Sequence, residues 1–302
     1  MISLEKALLS DRMMRALTGM DGPAFLQLEK RFAGVLAEAV AERTCAGHPR
    51  RRAAGAGPKG KLPSVGHQLF FILFYLKAYP IQDVMGHLFG LSQPQVCARV
   101  AQLLPRLQTL LRAELPARHG RSLAEVLAAL PEVNEVLIDG TERPIARPQH
   151  QGRRDRHYSG RRKRCTIKNV LVTARRRVVL LTPTGPGRRH DKSEADAARL
   201  RLSDGMRVLG DSGFQGYTAG AARVCTPRKK PRGRPLHWRH KRSNRKLARE
   251  RVVVEHVLAS VKRLGILRQP LRARRKTTAD LVMHIGCALH NYRLDQAAAA
   301  QN

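Results

Sequence analysis

The sequence predicts an α/β domain preceded by an all-α N-terminal region. Two observations carry this. Up to about residue 110 the apolar residues recur every three or four positions, the period of a helix with one buried face. After Pro131 short β-branched runs appear, first in succession and then alternating with helical stretches, which is the order of a mixed sheet flanked by helices. A chain of 302 residues can bury one large core or two modest ones. The expected boundaries are N-terminal helices over 1–46, a basic linker over 47–62, a helical domain over 63–130 and the α/β domain over 131–297.

In the first forty residues Leu4, Leu8, Met14 and Leu17, then Phe25, Leu28, Phe32, Val35 and Leu36, predict two helices. Gly47 to Lys61 is rich in Gly, Pro and Arg and has no apolar period, so it reads as a linker. Its Gly55-x4-Gly60-Lys61 imitates a phosphate-binding loop. Leu62 stands where Ser or Thr should hold magnesium, and no strand precedes it, so that reading fails. His67 to Leu107 parses as three helices. Pro80 ends the first, Gly90 ends a short second, and Ser92 caps the third with Pro94 in its first turn. That is the pattern of a helix-turn-helix, although spacing alone fits a plain helical bundle equally well.

Three strands are expected next: Asn134 to Asp139, Cys165 to Thr173 and Arg177 to Pro183, the latter two joined by a tight basic turn. A helix from about Lys192 to Leu202, a strand ending at Asp211, a short strand at "RVCTP" and a long helix containing Glu255 follow. A last helix runs from Thr277 to about Leu294.

Charge narrows the class of partner. The chain has 57 Lys and Arg against 23 Asp and Glu, a formal charge of +34. Such a surface repels itself unless a polyanion is near, and nucleic acid is the natural one. The charge is also uneven. Residues 1–48 balance six bases with six acids, whereas residues 223–276 set twenty bases against Glu250 and Glu255 alone. A membrane surface is the competing polyanion, but no apolar run reaches the ~18 residues of a span and no signal pattern opens the chain. A cytoplasmic protein is therefore expected. The five cysteines, Cys45, Cys97, Cys165, Cys225 and Cys287, are scattered and contain no Cys-x2-Cys pair, as suits reduced thiols better than a disulfide framework or a zinc site.

Candidate chemistry lies in three carboxylates. Asp139 and Asp211 each end an expected strand and are followed by glycine-containing turns, "DGTERP" and "DSGFQGY". Glu255 lies on the long helix. At about 100° per residue Arg251 and Glu255 are ~40° apart, and Glu255 and Lys262 ~20° apart, so the three share a narrow face beside the stripe of Val254, Val257, Leu258, Val261 and Leu264. Carboxylates among basic flanks suit phosphodiester chemistry. Two divalent ions held by Asp and Glu activate the attacking oxygen and stabilise the leaving one, while Lys and Arg hold the strand. Taken singly, Asp139 and Asp211 are ordinary turn formers and Glu255 an ordinary i,i+4 partner of Arg251; together they favour catalysis.

The motifs "LIDGTERPI" around Asp139, "HYSGRRKRCTIK" from His157, "PGRRHDK" from Pro186, "LGDSGFQGY" around Asp211, "TPRKKPRG" and "NRKLARERVVVEHVLASVKR" around Glu255 occur in that order over about residues 135–293. In them the chain resembles the DDE insertion-sequence transposases of bacteria, in the branch with an N-terminal helix-turn-helix-like region. The resemblance implies a ribonuclease-H-like catalytic fold for 131–297 and a DNA-binding role for the helix-turn-helix-like segment. It implies a catalytic and metal-binding triad of Asp139, Asp211 and Glu255 with two Mg2+ ions, for which Mn2+ would substitute. The family's signature Arg-x3-Glu-x6-Lys falls on Arg251, Glu255 and Lys262, which would position the DNA backbone. The basic residues Arg161, Arg162, Lys163, Lys168, Arg228, Lys229 and Lys230 are expected to contact DNA with them. Ala248 stands where related signatures carry Tyr, and Cys165 where His is common, the latter expected to be a buried strand variation.

His190 and Asp191 belong to the same pattern. Capping of the following helix by Asp191 is favoured over a supporting role beside the metals. His237 and His240 read as a solvated basic loop, since no further ligand is near. Trp238, the one tryptophan, suits stacking on an exposed base as well as packing against the domain. The function expected is cleavage at the terminal inverted repeats of an insertion sequence and strand transfer into target duplex DNA, by a homodimer or larger synaptic complex. A stand-alone nuclease and a catalytically silent DNA-binding regulator are the alternatives.

Overall fold

The computed structural model describes residues 2–42, 60–116, 127, 130, 133–198, 202, 205–220, 222–273 and 275–301. Most of the basic linker expected over 47–62 lies outside them. Two compact units are present. The first comprises Met1–Glu114 with Arg263–Ile266 and Asp295–Asn302; the second comprises Leu115–Lys262 with Leu267–Leu294.

The first unit is helical: α1 Leu4–Leu8, α2 Asp11–Thr18, α3 Gly22–Glu42, α4 Val65–Ala78, α5 Gln82–Phe89 and α6 Gln93–Leu110. Where two helices were expected before residue 42, three form. The Ser10 hydroxyl accepts from the Met13 amide and starts a new helix, and Gly19, at φ 88°, ends it. α4 is buried on nearly every side, with Leu69, Phe70, Phe71, Ile72, Leu73 and Leu76 at 1% exposure or less. Burial of those side chains, each contributing roughly 1.5–3 kcal/mol, holds the unit. Phe71 and Phe89 meet edge to face at 5.1 Å and join α4 to α5. Gly90 (φ 67°) turns the chain, and Ser92 with Gln95 forms a complete capping box on α6. The three-helix parse of 67–107 is thereby met. Arg31 closes the far end, its guanidinium 2.7 Å from Glu114 and donating to the Leu110 carbonyl.

The second unit is built on a mixed sheet. Its elements are β1 Glu135–Pro144, α7 Gln151–His157, β2 Tyr158–Ser159, β3 Arg164–Ala174, β4 Arg177–Leu181, β5 Gly185–Pro186, α8 Asp191–Ala197, β6 Arg207–Leu209, a 3-10 turn Ser212–Phe214, β7 Arg223–Cys225, α9 Trp238–Val261 and α11 Lys276–Ala299 up to Leu294, while α10 Gly265–Arg268 is divided between the two units after Ile266. β3 is antiparallel to β1, β2, β4 and β5, while β6 runs parallel to both β1 and β7. Three long antiparallel strands followed by two parallel ones, with helices packed on them, are the mixed α/β architecture the sequence predicts. Alternate residues of β1 serve different surfaces. Val136 and Ile138 join Val170, Val172, Val208, Ala195 and Phe214 in the main core. Leu137, Asp139, Thr141 and Arg143 face the other way.

Several expectations need correction. β1 does not end at Asp139. It continues to Pro144, paired with β3 throughout, so Asp139 is a mid-strand residue opposite Leu171. α8 ends at Ala197, short of the expected Leu202. The short helix α7 and the two-residue strands β2 and β5 have no periodic signal of their own and were not foreseen. α11 runs on to Ala299, beyond Leu294, and every residue from Val282 to Tyr292 is buried. In it Asn291 brackets β4, accepting from the Val178 amide and donating to the Val178 carbonyl.

Candidate active site

Sheet register places the first two carboxylates together. β1 and β6 pair in parallel as Val136 with Val208 and Leu137 with Leu209. Two residues further on in each strand stand Asp139 and Asp211, at matching positions just past the point where β6 ends. Leaving the sheet there frees the Asp211 backbone to turn, and its carboxylate accepts from the Gly213 amide at 2.8 Å as the cap of the 3-10 turn. Asp139 keeps its pairing to β3 and loses its β6 neighbour, so one side of the strand is open beside it. Burial pushes the Asp139 carboxyl up to about 6; Arg251 and the Gly140 amide oppose that rise, and the nearby charges of Asp211 and Asp191 add to it. Burial thus outweighs the support that Arg251 and the Gly140 amide give to the charged form.

The compensating cation is Arg251, on the margin of the buried face of α9. Its guanidinium lies 3.9 Å from Asp139, and its Nε is buried with no hydrogen-bond partner. Lys262, just past the end of α9, donates to the Glu142 carbonyl of β1 at 3.2 Å. Its ammonium pKa is lowered, first by burial and then by Arg162. Arg251 and Lys262 therefore reach β1 on either side of the same short stretch. Arg143, which sequence reasoning passed over, is almost wholly buried and donates to the Ala279 carbonyl, Asn169 and Thr184. It ties β1 to β3 and to the start of α11. A charged residue at an inward strand position was the available signal.

The structure treats Asp191 differently from the expectation. His190 is the N-cap of α8 and makes no side-chain cap, and Asp191 makes none either. Its carboxylate instead lies against Gly140, where the Cβ of any other residue would collide with it, and close to Gly213 beside Asp211. Gly140 is thus required for close approach and not for a turn, as the sequence had suggested. Lys168 Nζ stands 2.9 Å from Asp191 Oδ1, also 3.8 Å from Glu142, and donates to the Arg189 carbonyl. Lys168 is only 6% exposed. Expected among the DNA-contacting cations, it is committed to holding two carboxylates and cannot reach solvent-borne phosphate. Glu142, held also by the Thr166 hydroxyl, is the other acid that sequence reasoning missed.

Glu255 is not grouped with Asp139 and Asp211 closely enough for the three to hold a metal ion. It is exposed on α9, further round the helix from the buried line of Val254, Val257 and Val261 than Arg251 is. Among the described residues no three or more His, Cys, Asp or Glu are grouped closely enough to hold a metal ion. The donor set still has the chemistry of a hard-cation site: Asp139, Asp211 and Asp191 present carboxylate oxygens without His or Cys. Arg161, Arg162 and Lys163 are exposed in the turn between β2 and β3, and Arg228, Lys229 and Lys230 are exposed after β7. Cys165 is buried in β3. No helix is long and apolar enough to cross a membrane among the described residues.

Residues 138–291 match the family described as DDE superfamily endonuclease. Residues 60–113, spanning α4 to α6, match the helix-turn-helix of DDE superfamily endonuclease, which decides between that motif and a plain bundle. A protein of Microchaete diplosiphon described as a probable transposase for insertion sequence element IS702 is 30% identical over 228 residues, 75% of this chain and 80% of that protein. No solved structure matches the chain significantly.

Proposed function

Because the chain belongs to the DDE superfamily of endonucleases, we propose that it is a DNA transposase that cuts at the terminal inverted repeats of its insertion sequence and joins the freed ends to target DNA. The observation that carries the proposal is the matched placement of Asp139 and Asp211 on adjacent parallel strands, with the Arg251 guanidinium 3.9 Å from the first.

In this reading Asp139 and Asp211 hold the divalent cations, Mg2+ or Mn2+. When bound, these supply the positive charge that makes an oxygen nucleophile available and stabilises the leaving oxygen. The rest is done by the chain itself. Arg251 neutralises the site and orients the scissile phosphate. Lys262, partly desolvated against β1, adds a second positive contact to the DNA backbone. Lys168 fixes Asp191 and Glu142 so that these acids do not repel the phosphate freely. Water attacks the phosphodiester first and releases a 3' hydroxyl; that hydroxyl then attacks target DNA in the same site. Glu255 is the third carboxylate by its place in the Arg-x3-Glu-x6-Lys pattern. Asp191 is a second candidate for that position, favoured by lying beside Asp139 and Asp211. Two ends must be held together, so a dimer or larger assembly is expected on DNA, with the helix-turn-helix engaging the repeat.

The test is cleavage of labelled duplex carrying the sequences that flank this gene, with Mg2+, by the wild type and Asp139→Asn. Metal-dependent cuts at the element ends, absent in the variant, are expected. Cutting of every duplex alike would indicate a general nuclease, and binding without cutting a regulator.

A further inference from the structure

The N-terminal half of α9 takes no part in that site. From Trp238 to Arg249 it carries six Lys or Arg and no acid. At about 100° per residue Trp238, Arg242, Arg245 and Arg249 fall within ~60° of one another and form one stripe. The buried side chains Leu247, Val254, Val257 and Val261 lie roughly 100–180° away from it, so the stripe faces solvent. Trp238 is 60% exposed, so it is not part of the packed core. Arg242, Arg245 and Arg249 are exposed and make no ion pair or hydrogen bond among the described residues. A shallow groove there is lined by basic side chains, Trp238 and Ser243.

Unpaired like charges held in line on a rigid helix raise the free energy of the isolated protein and complement a line of anions. The rises between the three arginines are about 4.5 and 6 Å, close enough to meet phosphates that recur every ~3.4 Å of axis along each DNA strand. Of the cations expected to touch DNA, Arg228 is tied to the same helix. Asn244 accepts from the Arg228 amide and donates to the Arg228 carbonyl, and the Arg228 guanidinium donates to His240. At the end of the stripe the Arg239 guanidinium sits 5.4 Å from the Trp238 ring centroid and the His237 ring 5.8 Å from it, which hold the indole against the helix while leaving it exposed. An anionic membrane would match the charge as well, but the only other exposed apolar residue up to Arg249 is the small Ala248, and an interfacial helix needs an apolar face.

We infer that Trp238, Arg242, Arg245 and Arg249 form a phosphate track for DNA on the solvent-facing side of α9, ending on Trp238 as a stacking platform for an unpaired base. The inference rests on the reading that DNA is the substrate. Arg251 and Trp238 are about 20 Å apart along the helix and roughly 140° apart around it, so the stripe would meet DNA away from the reacting phosphate.

Trp238 is the chain's single tryptophan, so its fluorescence reports the platform directly. The full chain, without metal, is titrated with a duplex of the flanking sequence and with the same duplex bearing an unpaired tail. Stronger quenching by the tailed duplex is expected, and Trp238→Ala should lose roughly tenfold in affinity for it, with Trp238→Phe retaining most. Changing Arg242, Arg245 and Arg249 to Ala should lower the slope of log affinity against log salt by about 0.9 for each lost phosphate contact. These side chains are exposed, so circular dichroism should show the variants folded. Tight binding with no change in tryptophan fluorescence would overturn the platform, and an unaltered salt slope the track. Quenching by anionic vesicles and not by DNA would overturn both. Because no cutting is needed, a failure here combined with loss of cleavage in Asp139→Asn would leave the transposase reading standing.

Discussion

Arg251 sets its guanidinium 3.9 Å from the Asp139 carboxylate, while Glu255, one turn further along the same helix, is exposed to solvent. The helix that brings the counter-charge to the site thus leaves the expected third carboxylate open to solvent. Two acids and one base form the nucleus of the site, with Glu255 and Asp191 as the candidates for a third oxygen donor.

Asp139→Asn and Asp211→Asn should each reduce metal-dependent cleavage at least a hundredfold, the upper end of the loss seen for removing a partner one shell further out. Affinity for duplex measured without metal should stay level or rise, since each change removes a negative charge near phosphate. Cleavage that survived both substitutions would dismiss the pair as metal ligands.

Glu255→Gln and Asp191→Asn discriminate the two candidates for the third position. If the sequence pattern governs, Glu255→Gln abolishes cleavage and Asp191→Asn weakens it by tenfold or so, as for a supporting group. The reverse ranking, read from single-turnover rates over a range of Mg2+ concentrations, would assign the position to Asp191.

Removing the Lys168 ammonium leaves two largely buried acids without their cation. Lys168→Met should therefore destabilise the fold by about 3 kcal/mol, in the range for breaking a buried pair from one side, seen as a lower denaturation midpoint in urea. Restoring stability by the further change Asp191→Asn would tie the cost to that ion pair. An undisturbed midpoint in Lys168→Met would mean that the ammonium does not carry this load.

The folded Asp139 carboxyl titrates near 6, above its ordinary 3.8. The folded chain holds that proton more tightly than the unfolded one does, so the contribution to stability is complete below about pH 4 and is lost as pH rises through 6, by up to ~3 kcal/mol. The metal-free wild type should show this decline between pH 4 and 7 relative to Asp139→Asn, in paired thermal melts. A divalent ion competes with the same proton, so its affinity should climb over that interval. Parallel stability curves for the two proteins would place the titration elsewhere.

What the sequence determined by itself is the part of the molecule written in short-range chemistry. Ser92, Pro94, Gln95 and Gly90 specify where α5 stops and α6 starts because caps and left-handed glycines act within a few residues. The β-branched runs specified β3 and β4, and the ordered motifs marked Asp139 and Asp211. Only the tertiary structure decided what those residues face. Pairing with β3 carries β1 five residues past Asp139, and parallel pairing with β6 brings Asp211 level with it, across a sequence separation no local pattern records. Gly140 is glycine because Asp191 arrives from another element, Lys168 is enclosed because β3 runs through the sheet, and Glu255 is exposed because the angle at which α9 packs turns Arg251 inward first. Each depends on which surfaces exclude water together, and desolvation is a property of the assembled fold.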